Sequence, residues 1–484
     1  MVVGSGPGGA TAAYALARAG KRVVVLEAGQ QLGPDRFHRD VGKTLAEYFW
    51  EGGTRTVRGN VYFPTLQVRA LGGGSVFNSA ICMRPLDSAL RRWQDEHGLV
   101  DLTMDELAPH FDAVEEFYGI RAADDAILGR RNLLFREACD ELGWSHENIH
   151  RFEEGCVGSG ECILGCRHGA KNSMDRRGIA EVVALGGRVY TSVHVDKLIV
   201  SSGRVRGVEG MTVDPVTHAP KHPVRITASA TIVAAGAIGT PILLRRSGLR
   251  RDAIGSNLMF HPSCYVVGVF DEEVNPWFGA TQGVHTNEHL ERGIKLEALW
   301  ATASTFSRGF PKGARQFKRY LKRWPNMAVF DGWISGDASV GRVRAGPAGI
   351  PDITYRLGEA DLRRLQEANA LLCEMFAAVG AKEVITGVRG LPEVTAPADA
   401  LRALRQERYA MTDLPTASNH VMGGTPMGSD PDAGAVCDSW GQVYDADDLY
   451  VADTGLYPVS PGVNPQLTAM ALAWRLGQEL PQRY

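Results

Sequence analysis

Residues 1–29 show apolar and polar positions in the order strand, turn, helix, strand. Val2 and Val3 form a short apolar run before a glycine-rich turn, and the alanine-rich segment after the turn predicts a helix that ends near Ala19. A second apolar run, residues 22–26, predicts a strand that ends at Glu27. This order predicts a βαβ unit, the building block of a parallel sheet covered by helices.

Three later regions have different patterns. Residues 88–145 show helix-like patterns with charged faces, whereas residues 188–233 alternate or run apolar as strands do, before Gly236. Residues 261–411 have a mixed, aromatic-rich composition without a catalytic signature, which is typical of a substrate domain. Because no internal repeat or low-complexity linker separates these regions, we expect the domains to be interleaved along the chain.

Composition and charge exclude several classes of protein. The chain has 484 residues, enough for two or three domains, and its 44% apolar residues and 56 glycines are typical of globular α/β proteins. It carries 52 lysines and arginines against 55 aspartates and glutamates. The formal charge of −3 provides no field for binding a polyanion, so nucleic acid is not an expected partner.

No transmembrane segment is predicted. The longest apolar stretch, residues 231–244, is interrupted by Gly236, Gly239 and Pro241 and is shorter than the roughly 20 residues that a spanning helix needs. The glycine-rich turn begins at Gly4, so no signal peptide is recognised within this chain. A cytoplasmic location is therefore predicted.

The first glycine-rich turn predicts a nucleotide site. Gly4, Gly6 and Gly9 fit G-x-G-x-x-G, in which the glycines permit a tight turn, close approach to a pyrophosphate and close helix packing. Glu27 follows at the distance expected for a residue that accepts hydrogen bonds from ribose hydroxyls. Because NAD and FAD both use such a turn, the turn alone does not choose between them.

A second glycine segment, LGGGSVFNS at residues 71–79, is too polar and too flexible for a strand interior. Its glycines, Gly73 and Gly74, and its Asn78 suggest backbone that closely approaches a ligand. An ordinary surface turn is the alternative.

The C-terminal part contains two further motifs, SNHVMGGTPMGSDP from Ser418 and NPQLT from Asn464. With the two glycine segments, they make the chain resemble the glucose–methanol–choline (GMC) oxidoreductases, FAD enzymes that oxidise alcohols. The resemblance extends from Val2 to about Leu480 and is weak between about residues 265 and 410. It favours FAD over NAD, and an NAD-linked Rossmann dehydrogenase remains the alternative.

The resemblance implies that His420 faces the flavin ring and the substrate hydroxyl, and that Asn464 is the second polar group beside it. An alcohol releases hydride readily only as its hydroxyl proton leaves, so the reaction needs a base in hydrogen-bond reach while the carbon faces flavin N5. Asn464 precedes Pro465 and a helical run, which predicts that it caps a helix whose N-terminus points at the flavin.

Further cofactor contacts are implied in the same way. Asp453 is expected to bind the ribityl or phosphate part of FAD, Val195 to pair with adenine through its backbone, and Gly236 and Pro465 to line the site. Family members that attach FAD covalently have a histidine just before the asparagine of the second glycine segment. Here that residue is Phe77, so we expect FAD to be bound non-covalently.

The implied fold class is α/β, with a Rossmann-type FAD-binding domain interleaved with a substrate domain built on an antiparallel sheet with helices. The FAD-binding domain is assigned residues 1–87, 150–262 and 429–484. Residues 88–149 are assigned to a helical connecting region and residues 263–428 to the substrate-binding domain.

Three cysteines, Cys156, Cys162 and Cys166, form a C-x5-C-x3-C pattern. This spacing is similar to that of the catalytic subunits of bacterial FAD-dependent glucose dehydrogenases, where the cysteines hold a three-iron four-sulfur cluster. The resemblance implies such an iron–sulfur cluster, and with it a dehydrogenase that passes electrons to a protein partner. The alternatives are free thiols or a disulfide between Cys162 and Cys166, with oxygen or a quinone as electron acceptor.

A basic stretch at residues 312–324 has its aromatic residues at helical spacing. Such a helix binds an anionic membrane or a partner, or simply exposes a solvated face.

The predicted function is FAD-dependent oxidation of a primary or secondary alcohol, such as a sugar or an aminosugar, by hydride transfer to the flavin with His420 as base. A redox-silent lyase of the hydroxynitrile lyase type is the alternative. The sequence does not identify the substrate, the electron acceptor or the oligomeric state.

Overall fold

The computed structural model of the protein describes residues 1–302 and 314–484. Its α-helices are α1 (Pro7–Arg18), α2 (Val41–Tyr48), α3 (Asp87–His97), α4 (Met104–Tyr118), α5 (Arg130–Leu142), α6 (Gly178–Ala184), α7 (Gly236–Arg246), α8 (Ala314–Leu321), α9 (Glu359–Ala378), α10 (Pro397–Gln406) and α11 (Gln466–Arg483).

Its strands are β1 (Val2–Val3), β2 (Val24–Leu26), β3 (Arg58–Gly59), β4 (Ile120–Ala122), β5 (Glu147–Asn148), β6 (His150–Phe152), β7 (Arg188–Tyr190), β8 (Val193–Ser201), β9 (Arg204–Val213), β10 (Pro220–Thr227), β11 (Thr231–Val233), β12 (Met259–Phe260), β13 (Ser263–Val269), β14 (Val284–Thr286), β15 (Ile294–Ala298), β16 (Met327–Ile334), β17 (Val340–Ala345), β18 (Pro351–Arg356), β19 (Glu383–Ile385), β20 (Val421–Met422) and β21 (Leu449–Val451).

A parallel sheet forms the centre of the first structural unit. Its strand order is β21-β11-β1-β2-β7, so strands from both ends and from the middle of the chain lie side by side. Every residue of β1 and β11 is buried, as expected for parallel strands covered on both faces. Helices α1 and α11 pack against each other beside this sheet. The predicted Rossmann-type βαβ unit is confirmed, with its second strand at Val24–Leu26.

An antiparallel sheet forms the second unit, in the order β19-β13-β16-β15-β14-β5. Alternate residues of β16 point to opposite faces. On one face Phe330 stacks on Phe376 of helix α9, with ring centroids 4.2 Å apart. On the other face Val329, Asp331 and Trp333 line a large cavity. The α/β fold with an antiparallel second sheet is thus confirmed, whereas the exact domain boundaries remain a prediction.

Residues 88–145 are mostly helical, as predicted, and they hold helices α3, α4 and α5 except for the first residue of α3. Lys312 of the basic stretch lies outside the described residues. In the described part of that stretch, Tyr320 and Trp324 are buried in a small apolar cluster while Lys318 and Arg319 are exposed, as on a solvated helix face. No helix among the described residues is long and apolar enough to cross a membrane.

One local prediction is wrong. Helix α11 begins at Gln466, and its N-cap position is occupied by Pro465 without a side-chain cap. The amide of Asn464 does not cap the helix because both of its polar atoms are engaged elsewhere, by Lys295 and His420.

Candidate active site

A single continuous cavity of about 900 Å³ connects the nucleotide motifs to the C-terminal motifs. The following predicted site residues line it: Gly4, Gly6, Glu27, Gly73, Gly74, Asn78, Val195, Gly236, His420, Asp453, Asn464 and Pro465. Residues distant in sequence are therefore brought to one site.

The three glycines of the first turn differ in how closely other atoms surround them. A Cβ on Gly4 would lie 2.2 Å from the carbonyl oxygen of Ala234, and one on Gly9 would lie 2.1 Å from that of Gly4. A Cβ on Gly6 would meet no atom within 4 Å. Gly6 also precedes α1, so its open side and the free N–H groups of the helix start suit a phosphate.

Glu27 holds this turn in place. Its carboxylate accepts hydrogen bonds from the backbone N–H of Ser5 (3.0 Å), the hydroxyl of Ser5 (2.6 Å) and the N–H of Gly29 (2.8 Å). Burial raises the pKa of Glu27 above its ordinary value. Each carboxylate oxygen accepts more than one hydrogen bond, so contact with a ribose remains compatible with this arrangement and remains a prediction.

Ser5 was not identified from the sequence, although it joins the two glycine segments. Its hydroxyl accepts a hydrogen bond from the N–H of Gly72 at 2.9 Å. A Cβ on Gly73 would lie 2.8 Å from the Cα of Gly6, whereas Gly74 faces open space. The second segment therefore packs directly on the first and opens on the same cavity, which favours a ligand contact over an ordinary surface turn.

Asn78 links the second glycine segment to helix α11. Its side-chain N–H donates to Oε1 of Gln466 at 2.6 Å, and its Oδ1 accepts the N–H of Ala80 at 3.0 Å. The neighbouring Phe77 is buried among aromatic rings, including those of Phe37 and Tyr48, and supplies no nucleophile. Non-covalent binding of the cofactor stays a prediction.

Asp453 lies in the cavity wall beside the start of helix α7. Its carboxylate accepts hydrogen bonds from Gly236 N–H (2.9 Å), the Thr240 hydroxyl (2.6 Å) and Gly455 N–H (2.7 Å). It thus fixes the first residue of α7 beside the cavity. Its contact with FAD, and the backbone contact of Val195 with adenine, remain predictions.

His420 and His261 face each other because their strands pair. Strands β12 and β20 are antiparallel, with Phe260 opposite Val421, which sets the two adjoining histidines side by side. Nδ1 of His261 lies 3.0 Å from Nδ1 of His420, and Nε2 of His261 lies 2.7 Å from the Ser460 hydroxyl. No motif in the sequence indicates His261, because only its partner lies in a recognisable motif.

On its other side, His420 contacts Asn464. The amide nitrogen of Asn464 lies 3.2 Å from Nε2 of His420, and its Oδ1 accepts a hydrogen bond from Nζ of Lys295 at 2.8 Å. Lys295 is fully buried and also donates to Oε2 of Glu297 at 2.7 Å. Two charged residues in the otherwise apolar strand β15 were the available signal for this ion pair.

The direction of these hydrogen bonds follows from chemistry. An ammonium group only donates, so Lys295 must meet the oxygen of Asn464, and the amide N–H₂ must face His420. Nε2 of His420 then accepts, which assigns its ring proton to Nδ1 and directs that proton to His261. His261 in turn donates from Nε2 to Ser460. The result is a neutral His420 whose Nε2 lone pair is on the Asn464 side.

The electrostatic environment keeps this histidine neutral. Burial lowers the pKa of His420 to about 4, with Glu297 acting in the opposite direction and Lys295 in the same one. Burial, His420 and Lys295 also lower the pKa of His261 well below its usual value. Both rings are therefore uncharged near pH 7, and His420 is available to accept a proton.

The three cysteines are all free thiols in this structure. Within residues 1–302 and 314–484, no group of three His, Cys, Asp or Glu side chains is arranged to hold a metal ion, so the iron–sulfur prediction finds no support. Arg151 donates to Sγ of Cys162 at 3.3 Å. Lys171 donates to the carbonyls of Cys162 and Asn78, both at 2.9 Å, and so links the cysteine segment to the second glycine segment.

Comparison with known proteins identifies the family. Models of the GMC oxidoreductases match residues 45–263 and 337–473. The chain belongs to the GMC oxidoreductase family. A model of NAD(P)-binding Rossmann-like domains also matches residues 2–66, in agreement with the parallel sheet.

Individual relatives span nearly the whole chain. An uncharacterized GMC-type oxidoreductase of Mycobacterium tuberculosis is 34% identical over 478 residues, which cover 98% of this chain and 74% of the relative. A long-chain-alcohol oxidase of Arabidopsis thaliana is 27% identical over 521 residues, covering 100% of this chain and 66% of that enzyme. The crystal structure of pyridoxine 4-oxidase from Mesorbium loti superposes with a TM-score of 0.76 at 18% identity, covering 100% and 99% of the two chains.

The residues present fit the cofactor of this family. The cavity is lined at one end by both glycine segments and by the starts of α1 and α7, and at the other end by His420 and Asn464. At Gly6 and Gly74 no atom lies within 4 Å of the position of an added Cβ, so a ligand can approach the backbone closely at both glycines. The protein is an FAD-dependent oxidoreductase, and the NAD-linked alternative is set aside.

Proposed function

We propose that this protein oxidises a primary or secondary alcohol to an aldehyde or ketone, with His420 as the base. The observation that carries the proposal is the orientation of His420: the chain from Lys295 through Asn464 leaves its Nε2 unprotonated at the edge of the cavity. Bound FAD supplies the acceptor for the hydride that leaves the carbon.

The side chains divide the remaining work. The substrate hydroxyl replaces Asn464 as the hydrogen-bond donor to Nε2 of His420 and gives its proton to that atom, while the N–H₂ of Asn464 donates to the hydroxyl oxygen. Nδ1 of His420 keeps its hydrogen bond to His261, so the ring does not rotate as it takes up the proton. Trp333 stacks on His261, with ring centroids 4.2 Å apart and ring planes 4° from parallel, and covers this part of the site.

The relatives support an alcohol as substrate and oxygen as the electron acceptor, because one is named a long-chain-alcohol oxidase. A hydroxynitrile lyase would use a similar base without reducing the flavin. Anaerobic bleaching of the flavin by an alcohol therefore separates the two functions.

The experiment is anaerobic mixing of purified, FAD-loaded protein with a series of primary alcohols, followed by flavin absorbance. We expect bleaching in the wild type. The His420→Ala variant should retain FAD and reduce it at least 100-fold more slowly, because general-base catalysis contributes typically 10²–10⁴-fold. His222→Ala is the matched control, since His222 is exposed on β10. Equal rates in His420→Ala and wild type would overturn the assignment of the base.

A further inference from the structure

One face of the antiparallel sheet carries polar atoms that the protein does not satisfy. Oδ1 of Asp331 and the indole Nε1 of Trp333 are both buried without a hydrogen-bond partner among the described residues. The two residues alternate along β16, so they share a face, and both line the cavity that contains His420. Asp331 itself is only 8% exposed.

The neighbouring charged groups do have partners, which makes Asp331 the exception. Glu297 lies directly opposite Asp331 on β15. Its carboxylate accepts hydrogen bonds from Lys295 at 2.7 Å and from Gln282 at 2.6 Å. Buried polar atoms are nearly always hydrogen-bonded, and one left unsatisfied lowers stability, so an exception beside a reaction site points to a ligand group.

We propose that Asp331 and Trp333 form a subsite for a second hydroxyl group of the substrate, so that diols or polyols are preferred over simple alcohols. This inference rests on the proposed function. The second hydroxyl donates to the Asp331 carboxyl group. The Trp333 N–H donates to a hydroxyl oxygen on the same face. Both unsatisfied atoms then gain partners that a simple 1-alkanol does not provide.

The spacing of the two sites sets the length of the substrate. The rings of Trp333 and His420 lie 5.6 Å apart, and Asp331 is two residues further along β16. Two residues of a strand span roughly 7 Å. A substrate that reaches both residues therefore needs its two hydroxyls several bonds apart, as in 1,5-pentanediol.

A hydroxyl fits the subsite better than an ammonium group. Burial and the nearby Glu297 raise the pKa of Asp331 well above its ordinary value, although Lys295 acts in the opposite direction, and the charged carboxylate is disfavoured. A neutral acid gains less from a cation than a carboxylate does. An ammonium group also has no lone pair to accept from Trp333.

The test compares 1-pentanol, 1,5-pentanediol and 5-amino-1-pentanol in anaerobic flavin reduction, from which the limiting rate and the dissociation constant are both obtained. In the wild type we expect the diol to bind about tenfold more tightly than 1-pentanol, beyond the statistical factor for its two equivalent ends. In Asp331→Leu this ratio should fall about tenfold, as for the loss of one buried hydrogen bond.

Stability separates a binding role from a structural one. Because Oδ1 of Asp331 is buried without a hydrogen-bond partner in the described part of the chain, Asp331→Leu should unfold at the same or a higher temperature than wild type. Val267→Ala, at a buried position of β13 outside the lining of the cavity, is the matched control and should leave the ratio unchanged.

Three outcomes would overturn the subsite: equal binding of diol and 1-pentanol by the wild type, tighter binding of the amino alcohol than of the diol, or an unchanged ratio in Asp331→Leu. If none of the three compounds reduces the flavin, the proposed alcohol oxidation fails first. If 1-pentanol reduces the flavin and the diol has no advantage, only the subsite fails.

Discussion

The buried ion pair between Lys295 and Glu297 offers the sharpest test of how the site is organised. Lys295→Met keeps the length of the side chain and removes its charge. The exposed fractions of the two side chains are 0% and 1%, so no solvent replaces the lost partner. Removing one member of such a pair destabilises a protein by about 3–5 kcal/mol, because the remaining charge is buried without compensation.

The double variant Lys295→Met/Glu297→Gln separates charge from shape. It removes the uncompensated carboxylate and keeps the side-chain volumes, so we expect most of the lost stability to return. The oxygen of Asn464 has no ammonium partner in either variant, so the amide is free to turn and present its oxygen to His420. Losing a hydrogen bond to a charged group amounts to about 1.5–3 kcal/mol, or about 10- to 100-fold in the rate of flavin reduction.

Both effects are measurable on the same preparations, by urea unfolding and by anaerobic stopped-flow reduction. Lys382→Met is the matched control, since its ion pair with Asp271 is 3.7 Å long and the two side chains are 61% and 80% exposed. That variant should change the free energy of unfolding by less than about 1 kcal/mol. The reasoning is refuted if the double variant is no more stable than Lys295→Met, or if it reduces FAD as fast as wild type.

Two further predictions concern the base and the glycine turn. Because burial lowers the pKa of His420 to about 4, the rate of flavin reduction should be constant from pH 6 to 8 and fall below about pH 5. The histidine binds this proton at a higher pH in the unfolded chain, so acidification from about pH 6.5 to 4 should also lower the free energy of unfolding. The decrease should be smaller in His420→Ala. Equal decreases in the variant and the wild type would contradict the lowered pKa of His420. For the turn, Gly8→Ala should destabilise the protein, because its Cβ would lie 1.9 Å from the Ala452 carbonyl oxygen, whereas Gly6→Ala should fold normally and lose FAD on gel filtration. Full FAD retention by Gly6→Ala would show that Gly6 does not face the cofactor.

Features encoded over a short stretch of sequence were predictable. The glycine turn and Glu27 lie in one βαβ unit, and the segment around His420 is specific enough to indicate its family. Residues of both segments line one cavity. The start of helix α11 was not predicted correctly. Asparagine is a residue type that often caps helices, but the side-chain oxygen of Asn464 instead accepts a hydrogen bond from Lys295, which is distant in sequence.

Residues that act through strand register were not predictable. His261 faces His420 only because β12 pairs with β20, and Asp331 faces Glu297 only because of the register between β16 and β15. A shift of one residue would turn these side chains to the opposite face of the sheet. No local pattern specifies that register, since it depends on segments that are distant in sequence.

The site therefore depends on how the two sheets meet. The C-terminal motifs supply His420 and Asn464, but neither residue by itself determines which ring nitrogen of His420 carries the proton. That choice comes from Lys295, which belongs to the antiparallel sheet and donates to Asn464 across the cavity wall. Because Lys295 is held in turn by Glu297, the antiparallel sheet that presents the subsite face on β16 also sets the state of the base through β15. Changes that alter substrate preference at Asp331 should for this reason be made without disturbing Glu297.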